Sequence, residues 1–185
     1  MKIAVVFGSN RKNGTSLAIE NKIKSIEVSY EYNFIRMADV RIEGCLACEN
    51  CSKTGKCIIR PSDNDMFEFI LNKLSVSDKI LIITPIYSPF PSKLVAFMER
   101  LLSISYFPYE YNKRARPLNG KSVGIVCYGS CKIEDEKQLK LLFQKCLMDN
   151  YSFTDISYDY INKIDNPNSI FNDVVDYVEY IIKNM

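Results

Sequence analysis

The chain has 185 residues, 47% of them hydrophobic, and a formal net charge of +2. That fits one domain with a full core, excludes a disordered chain, and leaves no electrostatic footprint for nucleic acid. There is no histidine, which excludes a Ser-His-Asp or Cys-His triad and an H-E-x-x-H metal site within the chain. Apolar runs such as Ile80–Ile83 are short, far from the roughly 20 residues that span a membrane. The start, MKIAVVFGSN, holds too short an apolar run for a signal-peptide core, so a cytoplasmic chain with reduced thiols is expected.

Lys2–Phe7 is a continuous apolar run ending at Gly8 and predicts a buried parallel strand. After the polar loop Ser9–Gly14, Ile19, Ile23 and Ile26 share one helical face. Tyr30–Arg36 predicts a second strand. Ser62 and Asp65 form a capping-box pattern ahead of a helix carrying Met66, Phe69, Ile70 and Leu74. Lys79–Thr84, KILIIT, predicts the third strand, and Leu94, Phe97, Met98, Leu101 and Leu102 the next helical stripe. Residues 103–119 read as a long surface connection. Lys121–Cys127 predicts the fourth strand, and Leu139, Leu142, Phe143, Cys146 and Leu147 a fourth helix. Ser152–Tyr158 is a weaker fifth strand. A last helix, entered through Asn166 and Pro167, carries Phe171, Val174, Val175, Val178, Ile181 and Ile182.

Strands alternating with helices imply a parallel sheet covered on both faces. Five strands predict an α/β, flavodoxin-like three-layer sandwich with strand order 2-1-3-4-5. The expectation is a single domain over residues 1–185 with one insertion at about 43–62.

That insertion carries Cys45, Cys48, Cys51 and Cys57, spaced C-x2-C-x2-C-x5-C, flanked by Gly44 and Gly55. Compact spacing of this kind lets successive thiolates reach different irons of a cuboidal iron–sulfur cluster. The glycines permit the sharp turns such a loop needs. The same thiols also admit a zinc site, although the second C-x2-C knuckle is absent, or a disulfide pair, or thiols with no metal.

In such sheets a ligand binds outside the carboxyl ends of the strands, near the switch point. Three loops meet there. In GSNRKNGTS, residues 8–16, Ser9, Thr15 and Ser16 offer hydroxyls, Arg11 a charged fork, and the amides beyond Gly14 a helix N-terminus suited to phosphate. It is neither a Walker loop nor G-x-G-x-x-G, and an ordinary solvated turn is the competing reading. TPIYSPFPSKL, residues 84–94, makes a stiff, partly apolar wall for a flat ring. A proline-rich helix start at Pro91 is its bland alternative. In CYGSC, residues 127–131, Gly129 allows close backbone approach, with Tyr128 and Ser130 beside it. Cys127 and Cys131 read as packing thiols.

Together these stretches resemble the NADPH-dependent FMN reductase superfamily, and within it the iron–sulfur flavoproteins. The superfamily's G-S-x-R-x-x-G-x-[ST] phosphate loop maps onto Gly8, Ser9, Arg11, Gly14 and Ser16, with Thr15 where asparagine is common. Its T-P-x-Y-x-x-x-x-[ST] loop, which cradles the flavin ring, maps onto Thr84, Pro85, Ile86, Tyr87 and Ser92, with Ser88 and Phe90 on the same loop. The ending F-M-E-R of the next helix is similar to the family's F-x-[DE]-R. The resemblance covers roughly the first hundred residues. One departure is the aspartate pair that relatives carry after the last cysteine, split here into Asp63 and Asp65.

The resemblance implies FMN as cofactor, chemistry on the flavin without a catalytic side chain, and NAD(P)H as a donor. It also implies a [4Fe–4S] cluster on the four cysteines, a ferredoxin-like carrier or small molecule as the electron partner, and a homodimer or homotetramer. The rivals are a cluster-free NAD(P)H-dependent FMN or quinone reductase, a flavodoxin-type carrier, and a zinc protein without flavin.

Overall fold

The computed structural model describes residues 1–26, 30–61, 64–87, 90–103, 118–129, 133–144, 155–162 and, near the end, 176, 178 and 180. Its centre is a five-stranded parallel sheet of β1 (Lys2–Phe7), β2 (Glu31–Arg36), β3 (Lys79–Pro85), β4 (Ser122–Gly129) and β5 (Asp155–Asn162). The strand order is β2-β1-β3-β4-β5, as the alternating pattern predicts. Among the described residues the bounded helices are α1 (Thr15–Ser25), the short α2 (Asn50–Thr54), α3 (Phe67–Ser75), α4 (Ser92–Leu101) and α5 (Ile133–Gln144).

Side chains alternate across each strand, and the core divides accordingly. Ile3, Val5 and Phe7 of β1 and Leu81 and Ile83 of β3 pack with Ile19 and Ile23 of α1 and with Val178. Ala4 and Val6, with Ile80 and Ile82, face Ile70 and Leu74 of α3, Leu94 and Phe97 of α4 and Phe143 of α5. Each fully buried aliphatic or aromatic side chain contributes about 1.5–3 kcal/mol, so the sheet is held by both layers.

Several expectations shift in detail. β4 and β5 end later than predicted, at Gly129 and Asn162. Phe69 does not face the core. It is 48% exposed and lies under the Lys73 ammonium at 4.8 Å, while Phe67 takes the buried position with Ile70 and Leu74. Leu142 is likewise exposed, whereas Leu139 and Phe143 are buried. Ser62, Cys146, Leu147, residues 104–117 and most of the last predicted helix lie outside the described residues.

Asp65 does more than start α3. Its Oδ1 accepts the Phe67 N–H at 3.0 Å, and its Oδ2 accepts the Glu43 N–H at 2.9 Å and Arg100 Nη1 at 2.6 Å. Both side chains of this pair are nearly out of water, 1% exposed for Arg100 and 2% for Asp65. The guanidinium also lies over the Phe67 ring at 4.4 Å. At the other end of α4, Lys93 Nζ donates to the carbonyls of Met37, Ala38 and Val40 at 3.0, 3.4 and 2.8 Å. One helix therefore grips the segment after β2 at two points, before the cysteines and after them.

Arg100→Met leaves a buried carboxylate without its cation and is expected to cost about 3–5 kcal/mol in urea unfolding. Adding Asp65→Asn should recover part of that loss, because it removes the unpaired charge, while the single amide oxygen accepts only one of the two backbone N–H groups.

Burial pushes the Asp65 carboxyl up, but the Arg100 hydrogen bond and the two amides outweigh it and hold it below its ordinary value. Its stabilisation is therefore complete above the unfolded value of about 3.9 and disappears as pH falls through the lower folded value. Acid unfolding curves of Asp65→Asn should lack this component.

Candidate functional site

The carboxyl ends of β1, β3 and β4 are joined by backbone bonds. Gly8 N–H donates to Ile83 O at 2.9 Å, and Ile86 N–H donates to Tyr128 O at 2.9 Å. Glycine is required at position 8, because a Cβ there would stand 2.5 Å from Thr84 Oγ1 and 2.8 Å from Leu94 Cδ2. These contacts bring the three loops together around a cleft of about 250 Å³. Ser9, Arg11, Asn13, Gly14 and Thr15 line it from the first loop, Pro85, Ile86 and Tyr87 from the second, and Tyr128 and Gly129 from the third.

The cleft's chemistry follows from its walls. α1 begins at Gly14, whose φ of 113° favours glycine, and no side chain caps it. Its first turn holds no acidic residue, so the amides and the positive end of the helix dipole remain available to an anion. Arg11 adds a formal positive charge on the same side. Gly129, at φ 134°, brings its backbone beside Ile86, where a Cβ would stand 3.5 Å from the carbonyl oxygen. Below the cleft, the Tyr128 hydroxyl and Ser16 Oγ share a buried hydrogen bond of 2.7 Å. Burial pushes the Tyr128 phenol up to about 12, with the Ser16 bond opposing part of that shift. Tyr128 is therefore neutral at physiological pH, its hydroxyl held by Ser16 at the first turn of α1.

The cysteine insertion forms a second site. Cys45, Cys48, Cys51 and Cys57 line one small cavity of about 30 Å³, together with Leu46, Ile58, Arg100 and others. Ala47 and Glu49, on either side of Cys48, both take left-handed backbone at φ 49° and 56°. Such conformations are uncommon outside glycine and cluster at functional sites. The turn directs the Ala47 N–H to Cys45 Sγ at 3.5 Å. α2 places Cys51 on its first turn, and Gly55, at φ 71°, closes the helix by donating to Cys51 O at 2.8 Å. Burial is the main cause that raises the Cys51 thiol, with Cys45 and Cys57 adding to it. The four-thiol donor set suits iron. Among the described residues, however, no group of three cysteine or carboxylate side chains could hold a metal ion as it stands.

Of the residues expected at the cleft, Ser9, Arg11, Gly14, Thr15, Pro85, Ile86, Tyr87, Tyr128 and Gly129 meet there. Ser16 stands behind Tyr128. Phe90 does not join them; it is buried against Phe143 with ring centroids 4.7 Å apart. Ser92 opens α4 and accepts a hydrogen bond from Asn10 at 3.0 Å, tying the first loop to that helix. Ser88 and Ser130 lie outside the described residues, as does Cys131, while Cys127 is buried in the core. Asn13 lines the cleft without having been singled out; its place between Arg11 and Gly14 was the available signal. Arg100 and Asp65 were also missed as a pair, since a contact 35 positions apart leaves no local pattern.

Residues 1–148 match the family described as NADPH-dependent FMN reductase. An iron–sulfur flavoprotein of Clostridioides difficile is 33% identical over 114 residues, 55% of this chain and 49% of that protein. One from Methanocaldococcus jannaschii is 35% identical over 89 residues, 47% of this chain and 44% of that protein. The matched part of the chain thus spans about half the length of each relative. A solved NAD(P)H:quinone oxidoreductase of Methanothermobacter marburgensis superposes with a TM-score of 0.66 at 15% identity, covering 92% of this chain and 93% of that one, a likeness of fold. No helix among the described residues is long and apolar enough to cross a membrane. With four-fifths of its length inside the family match and its loops converging at the switch point, the chain belongs to the NADPH-dependent FMN reductase family.

Proposed function

We propose that this chain is an FMN-dependent oxidoreductase that passes electrons between a reduced donor such as NAD(P)H and a carrier or small acceptor. The observation that carries the reading is the cleft at the carboxyl ends of β1, β3 and β4, with an uncapped helix start at one end and close-packed backbone at the other. FMN, when bound, supplies hydride and single-electron exchange at its ring. The protein's residues would bind and orient it. The amides of Thr15 and Ser16 and the Arg11 guanidinium would hold the phosphate. Pro85, Ile86 and Tyr87 would face the ring, and the backbone at Gly129 would meet its polar edge. Tyr87, half exposed at the rim, would shield one face while leaving a side open to the electron partner. No acid or base is demanded of the protein, which suits a chain without histidine.

Titration of the flavin-free protein with FMN, followed by quenching of flavin fluorescence, should reach one FMN per chain. Arg11→Ala should weaken FMN about ten- to a hundredfold, the size of a charge-assisted hydrogen bond of about 1.5–3 kcal/mol. Absence of FMN binding would sink the reading.

The four cysteines form the proposed second redox centre, ligating a [4Fe–4S] cluster. Support comes from the compact spacing, the shared cavity, the amide bond to Cys45 Sγ and the names of the two relatives. Since the thiols do not yet converge on one point, binding would require the exposed part of the loop, Cys45–Cys48, to close over the group. Anaerobically purified protein should carry iron and inorganic sulfide in equal amounts, and Cys48→Ser should lose both while still binding FMN. Iron-free protein with full flavin content would make this a cluster-free reductase, and stoichiometric zinc without flavin would make it a zinc protein.

A further inference from the structure

Arg36 closes β2, the edge strand beside β1, and its side chain is only 21% exposed. It does not line the cleft, yet its guanidinium is committed in three directions. Nη2 donates to the carbonyl oxygen of Lys12, in the first loop. Nε faces Glu20 Oε2 of α1 at 3.5 Å, and Nη1 faces Asp39 Oδ2 at 3.4 Å. Glu20 is 6% exposed, and its other oxygen is taken by Lys24 at 2.5 Å. Oε2 has no hydrogen-bond partner, so the ion pair with Arg36 is the interaction that offsets its burial. The planar fork is thus fixed from behind by a buried carboxylate and reaches forward to one backbone carbonyl.

That carbonyl matters because a peptide unit is planar and trans. The Lys12 C=O and the Asn13 N–H belong to one unit and point in opposite directions. Drawing the carbonyl toward β2 turns the N–H away from β2, and Asn13, with Gly14 and Thr15 after it, is among the residues that line the cleft. We propose that Arg36 is a positioning residue. By holding the Lys12 carbonyl it aims the Asn13 N–H at the phosphate, and so sets the preference of the cleft for FMN over unphosphorylated riboflavin. The proposal rests on the FMN reading above.

The test is the ratio of FMN to riboflavin affinity, read by fluorescence quenching, in the wild type and in Arg36→Gln, Arg36→Lys and Asp39→Asn, with thermal melts on each. Arg36→Gln should weaken FMN about tenfold, as loss of one phosphate hydrogen bond requires, and riboflavin by less than about twofold. Arg36→Lys keeps a charge near Glu20 but not the fork, and should also lose most of the preference; it carries the test if the glutamine variant does not fold. Asp39→Asn leaves the Lys12 contact in place and should keep the wild-type ratio. An unchanged ratio in Arg36→Gln, equal weakening of both flavins, or full retention in Arg36→Lys would overturn the proposal. A wild-type chain that binds neither flavin would instead overturn the FMN reading, and the proposal with it.

Discussion

A guanidinium and a carboxylate, both almost wholly out of water, hold the cysteine insertion on the rest of the molecule. Arg100 comes from α4 and Asp65 from the turn before α3. Isolated, either charge would be costly to bury. Together, with the amides of Glu43 and Phe67 filling the carboxylate's other positions, they are tolerated. The consequence is positional. An insertion that offers little apolar area of its own, with Leu46 and Ile58 exposed, is anchored where it leaves the sheet and where it returns. Its tip, with Cys45 and Cys48, is exposed.

The same helix links the two candidate sites. α4 starts directly after the loop that walls the cleft, and its first turn carries Ser92, tied to Asn10 of the first loop. One residue later Lys93 caps the carbonyls that follow β2, and Arg100 closes the last turn against Asp65. A rigid element of ten residues therefore spans from the cleft to the cysteine cavity, whose lining includes Arg100. The proposed occupants of the two sites would be held at a fixed separation by this one helix, bonded at both ends.

The sheet was legible because buried parallel strands are continuous apolar runs, and Lys2–Phe7 and Lys79–Thr84 are unmistakable ones. The cleft loops were legible because their position follows from strand order. What local pattern could not show is contact across long separations. Tyr128 meets Ser16 across 112 positions, and Arg36 meets Lys12 across 24. Phe69 was placed on the wrong face because Phe67 and Phe69 both fit a helical repeat with Ile70, and only packing against Phe97 decides for Phe67. Phe90 shares a loop with Tyr87 but turns into the core, since Phe143 of α5 supplies an aromatic partner there. Asp65 read as half of a split acidic pair; its partner was a cation in another helix.

The most direct measurement is the visible spectrum of FMN-loaded protein during anaerobic addition of NADPH. The flavin band should bleach within the time of a turnover and return when a quinone or oxidised ferredoxin is added. A protein that binds FMN but whose band neither NADPH nor NADH bleaches would contradict the assignment as a reductase and leave a flavodoxin-type carrier in its place.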